Sequence, residues 1–374
     1  MSTKHAKLSA SGSARWLGCP GSVKAEQGIT ERPSVFASEG TAAHELGERV
    51  LSDGGTCFDW VGRTLLENSA VTVTDEMASA VQLYVDYVRN AKGELLVETR
   101  VDFSDWVSEG FGTCDAMILS GDTLNIVDLK YGKGVRVDAE ENTQAVLYAL
   151  GALSDFGMIY NINRVTVAIC QPRLDHISEW SLSRDELMRW GERIKQGADL
   201  ALSENAPRIP SEKACQWCKA KAKCPALAKL TEETILSGFD SVDSPNPDTL
   251  SDAQLRAALD SKKLILAWLE SVEDLIKSRL DAGLPFAGFK LVAGRSLRAW
   301  RDEKSAEIAL VEALGDDAHT TKLISVAQAE KALGKAGAAM LDGLIVKPEG
   351  APTIAPESDK RPAINISAKD FDCV

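Results

Sequence analysis

The spacing of apolar residues changes several times along the chain, and each change marks an element. In "SEGTAAHELGERVL", Ala43, Leu46 and Val50, with Leu51 alongside, keep one side apolar at the period of a helix, and His44 rides inside it. Residues 75–91, "DEMASAVQLYVDYVRNA", repeat that amphipathic pattern. The period then shortens to strand-like alternation in "GELLVETRVDF", "GFGTCDAMILSG" and "DTLNIVDLKYG", with Gly121-Asp122 as a hairpin turn before the last run. Three consecutive strands of this kind predict a meander. "NTQAVLYALGALSDFG" predicts a helix capped by Asn142 or Thr143, "NRVTVAICQPR" a further strand, and "SRDELMRWGERIKQGADLAL" a helix that starts at a Ser/Asp cap. Strands interleaved with helices predict a mixed α/β fold, a central sheet flanked by helices.

Past the cysteine-rich stretch at 212–225 the pattern loosens. "SVDSPNPDTLSD" has the Pro, Ser and Asp content of a linker. From near Ser251 a long helix is expected, with Leu255, Leu259, Leu266, Leu269, Val272, Ile276 and Leu280 on roughly one side and Gly283 as its stop. It reads most simply as a packing element. "PFAGFKLVAGRSLRAW" suggests a strand pair and 302–342 a helical stretch, while the Pro-rich end lacks periodicity and reads as extended or mobile. The expected division is a first domain over 1–240, a C-terminal helical extension over 241–345 and a tail over 346–374.

Composition narrows the class. With 44% hydrophobic and 26% charged residues among 374, the chain has the make-up of a soluble globular protein. No run approaches the roughly 20 apolar residues that span a bilayer, and the polar start lacks a signal-peptide core. A cytoplasmic location with no membrane partner is expected. The net charge of −13 excludes a general basic coat, so a polyanion would have to be met by a local patch. Eight cysteines in a reducing compartment matter through their spacing, not through disulfides.

The apolar run "LNIV" ends in Asp128 and Lys130, two apart and therefore on one face of a strand. The D-x-K triplet recurs at Asp260/Lys262 and Asp302/Lys304, so the triplet alone says little. What sets Asp128 apart is its hairpin partner, which carries Asp115 near the same strand end. Two carboxylates placed together repel unless a cation lies between them, and Mg²⁺ or Mn²⁺ suits such a hard oxygen site. Gln144 and Tyr148 are i,i+4 neighbours and can reach one groove.

"CQWCKAKAKCP" supplies Cys215, Cys218 and Cys224, and the best fourth thiolate for a closed site is Cys19 in "RWLGCPGS", nearly two hundred residues upstream. Spacing alone allows zinc or an iron-sulfur cluster. Lys213, Lys219, Lys221, Lys223 and Lys229 form a local basic patch that could balance the acids or guide a DNA backbone. Trp16 and Trp217 sit near Cys19 and Cys218, where they could stack on bases or shield the site. Cys57, Cys114, Cys170 and Cys373 read as small thiols, with Cys114 pointing away from Asp115.

"GTCD" followed by "DLK", with "TAAH" upstream and "QAVLY" downstream, resembles the RecB-type branch of the PD-(D/E)XK nuclease superfamily. The wording "GTCDAMI", "IVDLKYGKGV" and "ENTQAVLYALGAL" resembles in particular an uncharacterised, phage-associated family of that branch, over most of residues 9–300. The resemblance implies a restriction-endonuclease-like PD-(D/E)XK core in which His44, Asp115 and Asp128 bind the metal. It makes Lys130 the catalytic lysine and places Gln144 and Tyr148 in the motif on the following helix. Glu98, ending "LLVE", is a further candidate carboxylate for the metal. One cysteine before the core and three after it resemble the iron-sulfur staple of AddB-type nucleases, which implies a [4Fe-4S] cluster rather than zinc on Cys19, Cys215, Cys218 and Cys224.

The function so implied is Mg²⁺- or Mn²⁺-dependent hydrolysis of DNA phosphodiester bonds, as an exonuclease in phage recombination or processing. The partners would be single-stranded or duplex DNA ends, and a phage recombination or single-strand-binding protein in a bacterial host. One rival reading is a catalytically inactive nuclease fold that grips DNA in a recombination or packaging complex. Another is a zinc-stapled adaptor whose long helix docks a partner.

Overall fold

The alternating runs between 94 and 129 become three antiparallel strands, and the rest of the fold is built around them. In the computed structural model the described residues are 6–29, 35–65, 71–236 and 252–290. Two short helices open the chain, α1 (Ser13–Gly18) and α2 (Ser22–Ala25), followed by the long α3 (Val35–Asp53). A two-stranded ribbon, β1 (Thr64–Leu65) and β2 (Val71–Thr72), precedes α4 (Asp75–Asn90), whose N-terminus is capped by the Thr74 side chain accepting from the Met77 amide.

The main sheet runs in sequence order, β3 (Glu94–Asp102), β4 (Phe111–Ser120), β5 (Thr123–Leu129), β6 (Arg164–Gln171) and β7 (His176–Ser183). Every neighbouring pair in it is antiparallel except β5 and β6, which are parallel. That step needs a crossover, and α5 (Thr143–Phe156) supplies it. Asn142 caps α5 by accepting from the Ala145 amide, and α6 (Arg184–Leu202) begins at a Ser183/Glu186 capping box. Gly121, at φ +60°, makes the tight turn between β4 and β5. After α6 come α7 (Glu212–Cys215), α8 (Pro225–Leu236) and α9 (Asp252–Asp281).

Each face of the sheet has its own core. On one side Leu124, Ile126, Val165, Val167 and Ile169 pack beneath Leu147, Leu150 and the rest of α5 with α6. On the other, Ala116, Ile118, Val127 and Ala168 pack beneath Leu46, Val50, Val81 and Val85 of α3 and α4. The mixed α/β architecture, a sheet of five strands flanked by helices, agrees with the sequence expectation. No helix among the described residues is long and apolar enough to cross a membrane.

Several elements escape the sequence reading, among them β7, the β1–β2 ribbon and helix α8. The β7 run "HISEWSLS" turns His176, Ser178, Trp180 and Leu182 inward and leaves Ile177 about half exposed, so its alternation is hidden by polar residues on both faces. The β1–β2 ribbon is too short to leave a period. The long helix begins one residue after Ser251 and stops at Gly283, whose φ of +74° ends it. Its packing differs from expectation. Leu264 and Trp268 carry the contact with the chain, whereas Leu255, Leu259, Leu266 and Leu269 stand exposed. Of the strand pair expected at 285–300, a bridge between Phe286 and Phe289 is described. The linker and the remaining expectations, from 291 through the helical stretch at 302–342 to the tail and Cys373, lie outside the described residues.

Candidate metal centre and cysteine site

The site begins with a disturbance shared by two strands. In β3, Leu96 and Val101 both belong to the core beneath α5, although strict alternation would send them to opposite faces. In β4, Cys114 and Met117 do the same, while Ala116 and Ile118 face α3 and α4. The facing direction therefore reverses between these positions on both strands. Glu98 and Asp115 lie at the reversal. Glu98 takes φ +44°, and the β3–β4 ladder omits its pairing between Val97↔Ala116 and Thr99↔Cys114. A left-handed glutamate costs on the order of 1–3 kcal/mol, so the surrounding sheet must hold it there.

The consequence is a convergence on α3. His44 Nδ1 lies 3.3 Å from Asp115 Oδ1, and one ligand atom each from His44, Glu98 and Asp115 falls within 4.8 Å of the others. The second oxygen of Asp115 accepts the Leu129 amide at 2.7 Å, which fixes the carboxylate against the end of β5. Asp128 follows on β5, 1% exposed, with Oδ2 at 2.7 Å from Lys130 Nζ. Apart from that ion pair, this oxygen has no hydrogen-bond partner among the described residues. The ammonium also donates to Gln144 Oε1 at 3.0 Å, and Gln144 Nε2 donates to the Tyr148 hydroxyl at 3.1 Å. All seven predicted site residues are thus brought together, His44, Glu98 and Asp115 as a ligand group and Asp128, Lys130, Gln144 and Tyr148 as an adjoining chain of contacts.

Titration behaviour shows an excess of negative charge. Burial, then the neighbouring Asp115, raises the Glu98 carboxyl to about 7. Burial pushes Asp128 up as well; Lys130 opposes this and Asp115 adds to it. For His44, burial favours the neutral ring, but the hydrogen bond and charge of Asp115 together with Asp128 outweigh it, and the net direction is up. Lys130 also ends above its ordinary value, because Asp128 outweighs burial. The upward shifts of both acids, set first by burial, and of both bases, set by the neighbouring carboxylates, mark a buried cluster of negative charge. The donor set, one imidazole and two or three carboxylates, could hold a metal ion.

A residue that the sequence reading passed over supports the lysine. Gln171, 1% exposed at the end of β6, donates to the carbonyls of Gly132 and Val135 at 2.8 and 2.7 Å and accepts the Val137 amide at 3.0 Å. It pins the glycine-bearing loop that leaves Lys130. The signal was available: a polar residue ending the apolar run "VAIC", as Asp128 ends "LNIV".

The four cysteines meet at a second place. Cys19, just after α1, lines one cavity with Cys215, Cys218 and Cys224. The Ile209 amide donates to Cys19 Sγ at 3.2 Å. Burial raises the thiols of Cys215 and Cys218, the latter to about 11. The two tryptophans behave differently from each other. Trp16 is 2% exposed, with its indole donating to the Ser9 carbonyl, so it cannot stack on a base; Trp217 is 68% exposed. Cys57, Cys114 and Cys170 are buried thiols in the two main cores.

A family model described as "Protein of unknown function (DUF2800)" matches residues 5–362. A solved structure titled "Crystal structure of SSO0001" aligns at 12% identity over 55% of this chain and 92% of that chain, with a TM-score of 0.23, which is too low a likeness to bear on fold or function.

Proposed function

We propose that this chain, which belongs to the DUF2800 family of unknown function, is a metal-dependent DNA nuclease of the PD-(D/E)XK kind with a structural iron-sulfur cluster. The observation that carries the reading is the Lys130 ammonium held between Asp128 and Gln144 beside the His44–Glu98–Asp115 group. A binding protein has no use for a partly buried cation tied to an acid beside two further carboxylates.

His44, Glu98 and Asp115, with Asp128 adjoining, would hold Mg²⁺ or Mn²⁺. When bound, such an ion polarises a phosphate and makes a bound water more acidic. Lys130 stays protonated, because Asp128 raises it, so its part is to orient the attacking water and offset phosphate charge, not to act as a base. Gln144 accepts from Lys130 and donates to Tyr148, which fixes the height of the ammonium above the sheet. The reaction proposed is phosphodiester hydrolysis at single-stranded or duplex ends, in phage DNA recombination or processing. Lys213, Lys219, Lys223 and Lys229, exposed around the cysteine site, offer a local path for the backbone in an otherwise acidic chain.

Cys19, Cys215, Cys218 and Cys224 would hold the cluster. The four thiols line one cavity, which suits zinc or an iron-sulfur cluster. The order of one cysteine before the core and three after it, which resembles the AddB-type staple, favours [4Fe-4S].

The test is anaerobic purification, a visible spectrum, and incubation with end-labelled single- and double-stranded DNA plus Mg²⁺, Mn²⁺ or chelator. Metal-dependent cutting that Lys130→Ala abolishes, with DNA binding retained, is expected. DNA that is bound but never cut would leave a DNA-binding protein in place of the enzyme. Stoichiometric zinc without a broad band near about 400 nm would sink the cluster assignment.

A further inference from the structure

Among the described residues, helix α9 is packed along one side. Leu264 is buried there with Leu227 and Cys215, Trp268 packs alongside, and Ser261 lies 3.5 Å from Thr234. The opposite side carries Leu255, Leu259, Leu266 and Leu269, exposed by 46, 50, 48 and 50%. Ile276 and Leu280 continue the strip. Counting Lys262 and Glu273, which fall on the same line, the intervals from 255 to 280 alternate strictly between four and three residues. That is the a/d seam of a coiled coil, nearly four heptads long on a helix of 30 residues, about 45 Å. Four leucines in register on one face are a contiguous apolar strip, not scattered surface.

We propose that this face is the interface between two copies of the chain, paired antiparallel about a two-fold axis at the level of Ala267 and Trp268. The argument is complementarity of the seam with itself. Under that axis Leu266 meets the partner's Leu269, Leu259 meets the partner's Ile276, and Leu255 meets the partner's Leu280. The two charged positions also find each other: Lys262 meets the partner's Glu273, and the contact occurs twice. Every layer joins an a position to a d position, as antiparallel coiled coils require, and an isologous interface follows. A parallel dimer would set Lys262 on Lys262 and Glu273 on Glu273 inside the seam. A purely apolar partner would leave both charges unmatched at a cost. On the flanks Lys263 would lie beside the partner's Glu270 but already binds Glu212 at 2.7 Å, and Arg256 would face the partner's Lys277. The seam therefore sets the register, and the flanks do not.

Sedimentation equilibrium of the full chain should give twice the 40.2 kDa of one copy. Lys262→Glu and Glu273→Lys, each alone, should return the mass to one copy, with a dissociation constant weakened on the order of a hundredfold or more by two like-charge contacts. The double reversal Lys262→Glu/Glu273→Lys should restore the dimer. Both residues are exposed, so circular dichroism should show all variants equally folded. A monomeric wild type at the highest soluble concentration overturns the proposal. So does an oligomer that either single reversal leaves intact, as a parallel seam or a different surface would.

Discussion

The metal centre and the cysteine site both gather ligands that repel or desolvate one another, yet they are held in opposite ways. Glu98, Asp115 and Asp128 sit on three neighbouring strands whose register is fixed by the ladder pairs flanking the break at Glu98 and Asp115, while His44 comes from α3. Cys19, Cys215, Cys218 and Cys224 sit on short helices and turns, with nearly two hundred residues between Cys19 and Cys215. The sheet would keep its acids together without an ion. Among the described residues the cysteine region has Leu227, Leu264 and their neighbours as its core, so a ligand bound there as proposed would add to its stability. Under that proposal one site is held by the scaffold and the other would be held by its ligand.

Four substitutions or conditions bear on that contrast. The largest effect is expected from Cys19→Ser or Cys215→Ser, which should abolish the visible chromophore and remove stabilisation on the order of 10 kcal/mol from the cysteine region. Melting followed by circular dichroism within a few degrees of wild type would show that the ligand is not structural. Asp115→Asn comes next. Calorimetric Mn²⁺ affinity should fall at least about tenfold and cutting should be lost, with the chromophore and the fold intact. A variant that loses both sites together would erase the distinction.

Gln171→Leu removes three part-buried hydrogen bonds to the loop after Lys130, at about 0.5–1.5 kcal/mol each. A lower melting temperature together with a slower cut at unchanged Mn²⁺ affinity is expected; unaltered kinetics would remove Gln171 from any positioning role. The smallest effect is on pH. Glu98 is raised from 4.5 to about 7, so the folded state holds a proton that the unfolded state gives up. Its contribution is present at low pH and is lost as pH rises through about 7. Asp128 and His44 are shifted the same way, while the upward shift of Lys130 acts only above its ordinary range and outside this window. In chelator the melting temperature should therefore decline between pH 5 and 8, and Mn²⁺ should flatten the slope. A rise over that range would show that the cluster is not short of positive charge.

Much of this was legible because the chemistry sits on regular elements. A hairpin with its turn at Gly121-Asp122 has to bring Asp115 beside Asp128, and one helical turn has to align Gln144 with Tyr148. Glu98 was legible as a carboxylate but not as a conformation, since alternation gives no hint that two strands reverse their faces at the same level. Trp16 and Trp217 looked equivalent because each lies near a cysteine; burial, which local sequence does not encode, separates them. The apolar strip on α9 was visible as a period, but a period does not say whether the chain itself covers it.

The crossover between β5 and β6 has a kinetic meaning. The hairpin of β4 and β5 closes a short loop, so Asp115 and Asp128 can meet early in folding. Strand β6 cannot reach β5 until the intervening chain, with α5 inside it, has been laid across the sheet. Gln144 and Gln171 arrive only with that step. The acids are then assembled before the lysine is set, and a chain caught between those stages would bind the ion without being able to use it.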